Sequence, residues 1–237
     1  MYRYETHLHT YPVSKCAHAT VEETLLFYKK LGLDGVFITN HFIDGNINMD
    51  KKTASFEELL EFYYTDEEEA KRIGKEIGLA VFSGVEMTFK RADTLVYGLD
   101  KAWYLAHPEM REMERQDLLT MLMEAGALVI HAHPFRIWKG IKPILLYPKC
   151  VHGVEIYNAC RSDMENRLAE VYAKELGLLT FAGTDNHNAE RQPMIGGMES
   201  ETPIVDEKDF VRRVLAGEMR IFKMANPFYV PPAAKPQ

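Results

Sequence analysis

The sequence predicts an α/β protein in which helices cover a mainly parallel sheet, either closed as a barrel or left open. The chain has 237 residues, enough to enclose a sizeable apolar core. Short apolar segments rich in β-branched and aromatic residues alternate with segments of helical periodicity. The predicted strands are apolar almost throughout, which is typical of a parallel sheet buried on both faces.

Each predicted element has local support in the sequence. Strands are predicted at 34–41, 79–87, 94–99, 127–133, 153–158 and 178–185, with a short later strand, RIFKM. Thr20 is predicted to cap a helix that stops near Gly32, with Glu23 completing a capping box. Residues 55–78 are predicted to form two helical pieces, and further helices are expected over 108–126, 162–177 and 206–216.

The charge balance argues against a broad nucleic-acid-binding surface. The chain carries 28 basic and 35 acidic residues, a formal net charge of −7. Nucleic acid stays possible at a local basic pocket but is not favoured. The oligomeric state cannot be read from these features.

Cysteine usage and hydropathy suggest a reducing compartment. Cys16, Cys150 and Cys160 are odd in number and do not follow a zinc-finger spacing, so a disulfide framework is not expected. The N-terminal segment lacks the basic and apolar regions of a signal peptide, and no apolar run approaches about 18 residues. We therefore expect a cytoplasmic protein with no membrane span.

The segment ETHLHT is the first candidate for chemistry. In an extended strand Glu5, His7 and His9 share one face, because alternate side chains point the same way. Two imidazoles and a carboxylate in one place suit a metal ion, although a solvated polar strand edge explains the same pattern.

Residue types that ligate metals also lie at the ends of other predicted strands. They are His41, Glu86, His133, Asp185 and His187. Because active sites of parallel α/β barrels form at the carboxyl ends of strands, this distribution favours the metal site over the polar edge. His107 precedes a proline near a helix start, and His152 lies before its strand, so neither is predicted to be a metal ligand. His131 is either a ligand or a residue that supports one.

In their order and spacing, the motifs HLH, TNH, GVE, HP and GTDNH, at 7–9, 39–41, 84–86, 133–134 and 183–187, resemble those of the PHP (polymerase and histidinol phosphatase) domain. The resemblance covers residues 1–225 as one catalytic domain and leaves 226–237 as a proline-rich tail. It implies a distorted (β/α)7 barrel of TIM-like form, with the metal site at the carboxyl ends of the strands. It also implies two to three divalent ions (zinc, manganese or iron) and hydrolysis of phosphate esters.

Carried over position by position, the resemblance implies three metal sites. The first would take His7, His9, Glu86 and Asp185; the second Glu86, His133 and Asp93; the third His41, His187 and His18. Asp93 stands where relatives often have histidine, and His18 lies further along its loop than the pattern expects. Catalytic roles are implied for His9, Asp185 and His187, and supporting roles beside the ligands for Glu5 and Glu155.

The ligand types suggest which metals and substrates to expect. Imidazole and carboxylate suit zinc, manganese and ferrous iron, and the absence of cysteine from the implied ligands argues against a structural zinc. Phosphate recognition favours arginine, whose paired N–H groups match two phosphate oxygens. Arg136 and Arg161 are the preferred candidates for substrate binding, with Lys15 and Arg91 as weaker ones.

The favoured hypothesis is a metal-dependent phosphoesterase for a small phosphomonoester, such as a histidinol-phosphate-like substrate. A PHP-type exonuclease or nucleotide phosphodiesterase is kept open by the basic, aromatic segment FRIWKGIKP at 135–143. A catalytically silent metal-binding PHP scaffold is disfavoured because the ligand positions are filled. An amidohydrolase ranks last because no lysine stands at a predicted strand end.

Overall fold

The computed structural model describes residues 1–89, 92–137 and 143–231. Its strands are β1 (Tyr2–Glu5), β2 (Gly35–Ile38), β3 (Ala80–Phe89), β4 (Ala92–Tyr97), β5 (Leu128–Ala132), β6 (Gly153–Asn158), β7 (Leu179–Gly183), β8 (Met194–Ser200) and β9 (Arg220–Ala225). Its α-helices are α1 (Val21–Lys30), α2 (Phe56–Ile77), α3 (Lys101–Ala106), α4 (Arg115–Glu124), α5 (Asp163–Leu176) and α6 (Glu207–Leu215). Every predicted strand is present, whereas β8 and α3 have no counterpart in the sequence-based assignment.

The described strands form one sheet in the order β7-β6-β5-β4-β3-β2-β1-β8-β9. Strands β1 to β3 are parallel to one another, and so are β5 to β7. The expectation of a mainly parallel sheet fails at β4, which runs antiparallel to both β3 and β5, and at β8, which runs antiparallel to both β1 and β9. Only two residues separate β3 from β4, too few for the crossover that parallel neighbours require.

The reversal of β4 has a consequence for the site. Asp93 lies near the start of this strand, opposite Thr88 of β3 and Ala132 of β5. Because β4 is antiparallel, its first residues lie at the same rim as the carboxyl ends of its neighbours. The reversal therefore brings Asp93 to the rim where the metal ligands were expected.

Contacts between the two ends of the strand order bring the sheet close to a barrel. The amide of Gly196, in β8, donates to Thr184 Oγ1 at 3.0 Å, directly after β7. The amide of Asp185 donates to the His7 carbonyl at 2.7 Å, and Leu8 bridges Asn186. These contacts nearly close the sheet and confirm the predicted fold class, a distorted TIM-like barrel.

Capping residues set most helix boundaries. Thr20, Ser55 and Ser162 each begin a helix through a complete capping box. The prediction of two pieces over 55–78 is wrong, since α2 is one helix of 22 residues that ends at Gly78 in a left-handed conformation. The segment predicted as a helix over 108–126 instead divides into a 3-10 turn (Pro108–Arg111) and α4.

One glycine allows the close approach that builds the site. A Cβ atom added at Gly183 would collide with Cβ of His7 and lie 2.8 Å from Glu155 Oε1. Only glycine therefore lets the end of β7 pack against the histidine segment after β1.

The C-terminal end of the chain follows β9, whose last residue is Ala225. Residues 226–231 form neither helix nor strand, and 232–237 lie outside the described residues. The division into a catalytic domain and a tail stays a prediction. In the described ranges, no helix combines the length and apolar character needed to cross a membrane.

Candidate metal centre

Side chains from five strands meet at one rim of the barrel. They are His7 and His9 after β1, His41 after β2, Glu86 in β3, His133 after β5, and Asp185 and His187 after β7. Backbone contacts tie these strand ends together, including an isolated bridge between His41 and Glu86. The sequence-based expectation that these residues would converge is met by the geometry.

Their potential ligand atoms form three overlapping groups, with all atoms of a group within 4.8 Å of one another. The groups are His7–Glu86–His133, His7–His9–Asp185 and His9–His41–His187. Glu86 Oε1 lies 3.3 Å from Nε2 of both His7 and His133. Ligand bonds of about 2.0–2.1 Å place neighbouring ligand atoms roughly 3 Å apart, so these separations suit a divalent ion.

Unpaired buried atoms support the same conclusion. Among the described residues, the buried atoms without a hydrogen-bond partner include both carboxylate oxygens of Glu86, Oδ1 of Asp93, Nδ1 of His41 and Nε2 of His133. His41 Nδ1 lies 2.7 Å from Glu86 Oε2, an ion-pair distance without the alignment of a hydrogen bond. Unpaired buried carboxylate oxygens are costly, and a bound cation would satisfy them together. The residues present therefore fit divalent metal ions.

The outer ring nitrogens of the histidines are held by neighbouring groups. Glu155 Oε1 lies 2.9 Å from His7 Nδ1, and its other oxygen accepts from the amide of His133 at 2.9 Å. Ser14 Oγ lies 3.1 Å from His9 Nδ1. Such contacts leave Nε2 of each ring to face the centre and fix its orientation. Glu155 thus lies where a supporting residue was predicted.

A buried polar network, which sequence reasoning missed, connects the loop after β1 with the end of β2. Asn40 Oδ1 accepts from the amide of Thr10 at 2.7 Å and from the hydroxyl of Ser14 at 2.8 Å. Asp66, in α2, accepts from Thr10 Oγ1 at 2.7 Å and from Asn40 Nδ2 at 3.0 Å. Burial raises the pKa of Asp66 to about 6. Asn40 stands within the TNH motif, but nothing local marks Asp66.

The charges of the histidines differ with their neighbours. Burial would lower the pKa of His7, but Glu155 and Asp185 outweigh it and raise that pKa well above its ordinary value. His9 has its pKa lowered to about 3, because it is buried and faces the imidazoles of His187 and His41. His9 is therefore neutral, the form in which an imidazole ligates a metal.

The carboxylates of the centre are ionised despite their burial. Burial alone would raise the pKa of Glu86, but His41 and other histidines hold it well below its ordinary value. His7 and His9 do the same for the pKa of Asp185. Glu86 and Asp185 are thus already in the protonation state that metal coordination requires.

Glu5 has a different role from the predicted one. It accepts hydrogen bonds from the amides of His7 and Thr184, each at 2.9 Å, and from the hydroxyl of Tyr28 at 2.7 Å. None of these contacts reaches an imidazole. Strand β1 ends at Glu5, so the alternation expected to align Glu5 with both histidines does not continue. Glu5 instead holds the backbones of the two ligand-bearing loops, and burial raises its pKa to about 7.

An open cavity of about 420 Å³ lies over the centre, and both predicted arginines line it. Arg136 pairs with Asp93 at 3.0 Å, and Arg161 lies 3.9 Å from Asp185 Oδ2. Asp93 is 3.9 Å from His133 Nε2, at the edge of the second predicted site. Arg161 Nε has no hydrogen-bond partner among the described residues. The cavity therefore combines guanidinium groups with potential metal ligands.

Two loop residues lie away from the places predicted for them. The amide of His18 donates to the carbonyl of His187 at 2.8 Å, but its side chain is exposed and lines a separate cavity beside α1. His18 is thus not brought to the third site. The side chain of Lys15 is exposed and is not among the described residues that line the cavity over the centre. Arg91, Trp138, Lys139 and Lys142 lie outside the described residues.

His131 is buried beside the centre without joining a donor group. Its ring lies 6.2 Å from that of Tyr147 and 6.5 Å from that of Tyr172. His133 has a φ of 25°, so the regular strand ends before it and the two histidines do not share a face as the sequence suggested. Burial and the charge of Arg115 lower the pKa of His131 to about 3.

Cys16 is the residue near the centre that sequence reasoning most clearly missed. It lines the cavity and is within hydrogen-bonding reach of His187 and His41, contacts that outweigh its burial and lower its pKa to about 6. No cysteine was among the predicted ligands, and His18 was the residue predicted for this loop position. The position of Cys16 in the loop after the HLH motif was the sequence feature that could have identified it as a residue near the centre.

Comparison with known protein families matches one part of the chain. A family model described as PHP-associated matches residues 163–219. A search of curated protein sequences finds no match.

Several solved structures share the fold. One is a two-domain protein from Bacteroides vulgatus ATCC 8482, described as containing a predicted PHP-like metal-dependent phosphoesterase. It is 13% identical, with a TM-score of 0.66 over 93% of this chain, and the chain spans 64% of that protein. A protein from Bifidobacterium adolescentis ATCC 15703, described as a metal-dependent phosphoesterase, is 14% identical with a TM-score of 0.53, covering 91% of this chain and 96% of its own. An amidohydrolase from Chromobacterium violaceum with bound sulfate is 13% identical with a TM-score of 0.56, covering 92% and 97% respectively.

Identities this low establish a common fold only, so the activity has to be inferred from the site itself. The matched segment 163–219 begins at α5 and extends beyond α6, on the same barrel whose strand ends carry the HLH, TNH, GVE, HP and GTDNH motifs. The matched family model, the barrel and the motifs agree with the resemblance of the chain to the PHP-domain family.

Proposed function

We propose that the chain is a metal-dependent phosphoesterase that hydrolyses a small phosphomonoester. One observation carries the proposal: potential metal ligands and two arginines face the same cavity. Glu86, His41 and Asp185 line it from the barrel rim, and Arg136 and Arg161 line it from the side. The cavity thus offers ligands for cations and donors for an anion.

The proposed chemistry divides between the metal ions and the chain. Divalent ions held by the three donor groups would acidify a water molecule and neutralise charge on the phosphate oxygens. Arg136 and Arg161 would bind the remaining oxygens through paired N–H groups and orient the phosphorus. Asp93 and Asp185 hold these guanidinium groups at the cavity wall by ion pairing, at 3.0 Å and 3.9 Å. Catalytic roles are proposed for His9, Asp185 and His187, each of which belongs to at least one of the donor groups.

Cavity size and charge support a small substrate. A volume of about 420 Å³ lies within the usual range for small-molecule sites, roughly 300–1,000 Å³. The formal net charge of −7 disfavours a long polyanion. The segment that suggested a nuclease, 135–143, falls mostly outside the described residues. A histidinol-phosphate-like compound is one candidate among small phosphomonoesters.

The related structures support the reaction class. Two of them are described as containing or being metal-dependent phosphoesterases, and the C. violaceum protein binds sulfate, a tetrahedral oxyanion like phosphate. The latter is described as an amidohydrolase, the alternative that the sequence ranked last. No lysine is found among the described residues that line the cavity over the centre, which favours the phosphoesterase.

Metal-dependent hydrolysis of an aryl phosphate tests this proposal. Protein stripped by a chelator should be inactive, and activity should return with Zn²⁺, Mn²⁺ or Fe²⁺ in proportion to the metal bound. An aryl phosphodiester and an aryl amide, assayed in parallel, separate monoesterase, diesterase and amidohydrolase activities. Hydrolysis of the amide alone would overturn the proposal.

Substitution of Arg136 tests the substrate side of the proposal. Arg136→Ala should raise KM for the phosphomonoester by about tenfold, the loss of one charge-assisted contact, with little change in bound metal. Arg212→Ala is the matched control, because Arg212 pairs only with surface carboxylates among the described residues. An unchanged KM would remove Arg136 from the substrate site.

A further inference from the structure

Cys16 lies on the cavity side of the His9–His41–His187 group. The rings of His9 and His41 have centroids 4.5 Å apart, and those of His9 and His187 lie 4.4 Å apart. His9 is buried beneath the other two, whereas Cys16, His41 and His187 all line the cavity. The thiol is within hydrogen-bonding reach of both cavity-lining imidazoles.

Unpaired buried groups point into the same cavity. Glu86 is 1% exposed and lines the cavity, and neither of its carboxylate oxygens has a hydrogen-bond partner among the described residues. The same holds for Nδ1 of His41. A cation at this place would satisfy these atoms, in the cavity that Cys16 also lines.

The backbone around Cys16 is anchored on both sides. The amide of Lys15 donates to the carbonyl of Asn46 at 2.9 Å, and the amide of Ala17 donates to the carbonyl of Ser14 at 3.0 Å. The amide of His18 bonds to the carbonyl of His187, which ties the loop to a candidate ligand. The fold therefore holds the thiol in place, as a ligand position requires.

From this arrangement we infer that Cys16 is a metal ligand and completes the His9–His41–His187 group as a site for Zn²⁺. The inference rests on the proposed metal-dependent function. On binding, the thiol loses its proton to solvent and the thiolate sulfur bonds to the metal. Thiolate and imidazole ligands suit Zn²⁺ better than Mn²⁺, which prefers carboxylate oxygens. The other two groups contain a carboxylate and no cysteine.

Cobalt substitution tests the ligand directly. Co²⁺ bound by a thiolate absorbs in the near-ultraviolet through sulfur-to-metal charge transfer, whereas its visible bands report binding alone. The wild-type protein should show both features, and Cys16→Ser should lose the near-ultraviolet band. Cys160→Ser is the matched control, because the Cys160 thiol lies close to the centre but donates to the carbonyl of Asp185 at 3.2 Å. This control should keep the band.

Metal affinity and thiol protection extend the test. Cys16→Ser should raise the Kd of one Zn²⁺ equivalent by about tenfold or more and leave Mn²⁺ binding nearly unchanged. In the unmutated protein, Zn²⁺ should slow alkylation of Cys16 by iodoacetamide, followed by peptide mass spectrometry. This measurement does not depend on the folding of a variant.

The outcomes separate this inference from the proposed function. Visible cobalt bands without the near-ultraviolet band, a band that survives in Cys16→Ser, or alkylation unaffected by Zn²⁺ would each overturn the role of Cys16 alone. Failure to bind cobalt or zinc at all would overturn the metal-dependent function and, with it, this inference.

Discussion

The two sides of the metal centre are built differently. The carboxylate side consists of His7, Glu86, His133 and Asp185, and the imidazole side of His9, His41, His187 and Cys16. Buried charged groups position the former, with Glu155 bonded to the ring of His7 and the amide of His133. On the imidazole side, which opens toward the cavity, the neutral hydroxyl of Ser14 contacts the ring of His9, and Glu86 reaches His41 across the boundary between the two sides.

This difference suggests a division of labour. A ligand held by a buried carboxylate cannot move without leaving a buried charge unpaired, so the carboxylate side should retain its metal tightly. The imidazole side includes residues on loops, and its His41, His187 and Cys16 line the open cavity. It should exchange metal more easily and lie nearer to the substrate.

The largest effect is expected for Glu86, which connects the two sides. Its oxygens lie 3.3 Å from His7 and His133, 3.4 Å from His9 and 2.7 Å from His41. Glu86→Gln should reduce bound metal on both sides and lower kcat/KM by about 100-fold or more. Elemental analysis and phosphatase assays measure this.

A control for Glu86→Gln is available on the surface. Glu199→Gln removes an ion pair at 3.0 Å with the exposed side chain of Arg3, neither partner being among the candidate ligands, and it should leave metal content unchanged. Wild-type metal content in Glu86→Gln would show that the two sides do not share this carboxylate.

A smaller effect, confined to the carboxylate side, is expected for Glu155. Glu155→Gln replaces the charged partner of His7 Nδ1 and weakens the contact to the His133 amide. The Kd of the metal on this side should rise about 10- to 100-fold. Competition with a chelating dye measures it, and an unchanged Kd would contradict the assigned role.

Ser14 provides the corresponding test on the imidazole side. Its hydroxyl contacts His9 Nδ1 at 3.1 Å and accepts from the amide of His41 at 3.0 Å. Because the hydroxyl is neutral, Ser14→Ala should weaken one metal equivalent by less than about tenfold. If Ser14→Ala released more metal than Glu155→Gln, the comparison between the two sides would be wrong.

The smallest effect concerns stability and its pH dependence. Burial raises the pKa of Asp66 from 3.8 to about 6, so the folded state binds this proton more tightly than the unfolded state. The contribution of Asp66 to the free energy of unfolding should therefore fall by about 2 kcal/mol as the pH rises from 4 to 6. Asn cannot titrate, so Asp66→Asn should lack this contribution.

Urea unfolding of both proteins across pH 4–7 checks the contribution of Asp66. The difference in unfolding free energy between them should change over this window and become constant above it. Taking the difference removes the titration of other groups such as Glu5, whose pKa is about 7. A difference that stays constant from pH 4 to pH 7 would contradict the assignment.

Local patterns were sufficient to predict much of the fold and most of the candidate centre. Capping boxes at Thr20 and Ser162 mark helix starts because all their partners lie within a few residues. Apolar runs identify the strands, and the residue types at their ends identify His41, Glu86 and Asp185 as candidates. In a barrel, strand ends share a rim, so even distant ligands could be grouped without coordinates.

Long-range packing decided the remaining features. The direction of β4, and with it the position of Asp93, depends on pairing with β3 and β5. Asp66 approaches the centre only because α2 packs against the loop after β1. In that loop, the bond between the His18 amide and His187 leaves Cys16 facing the cavity and His18 exposed. Periodicity and capping are local, whereas the direction of a loop side chain is set by partners far along the chain, and no sequence pattern encodes those contacts.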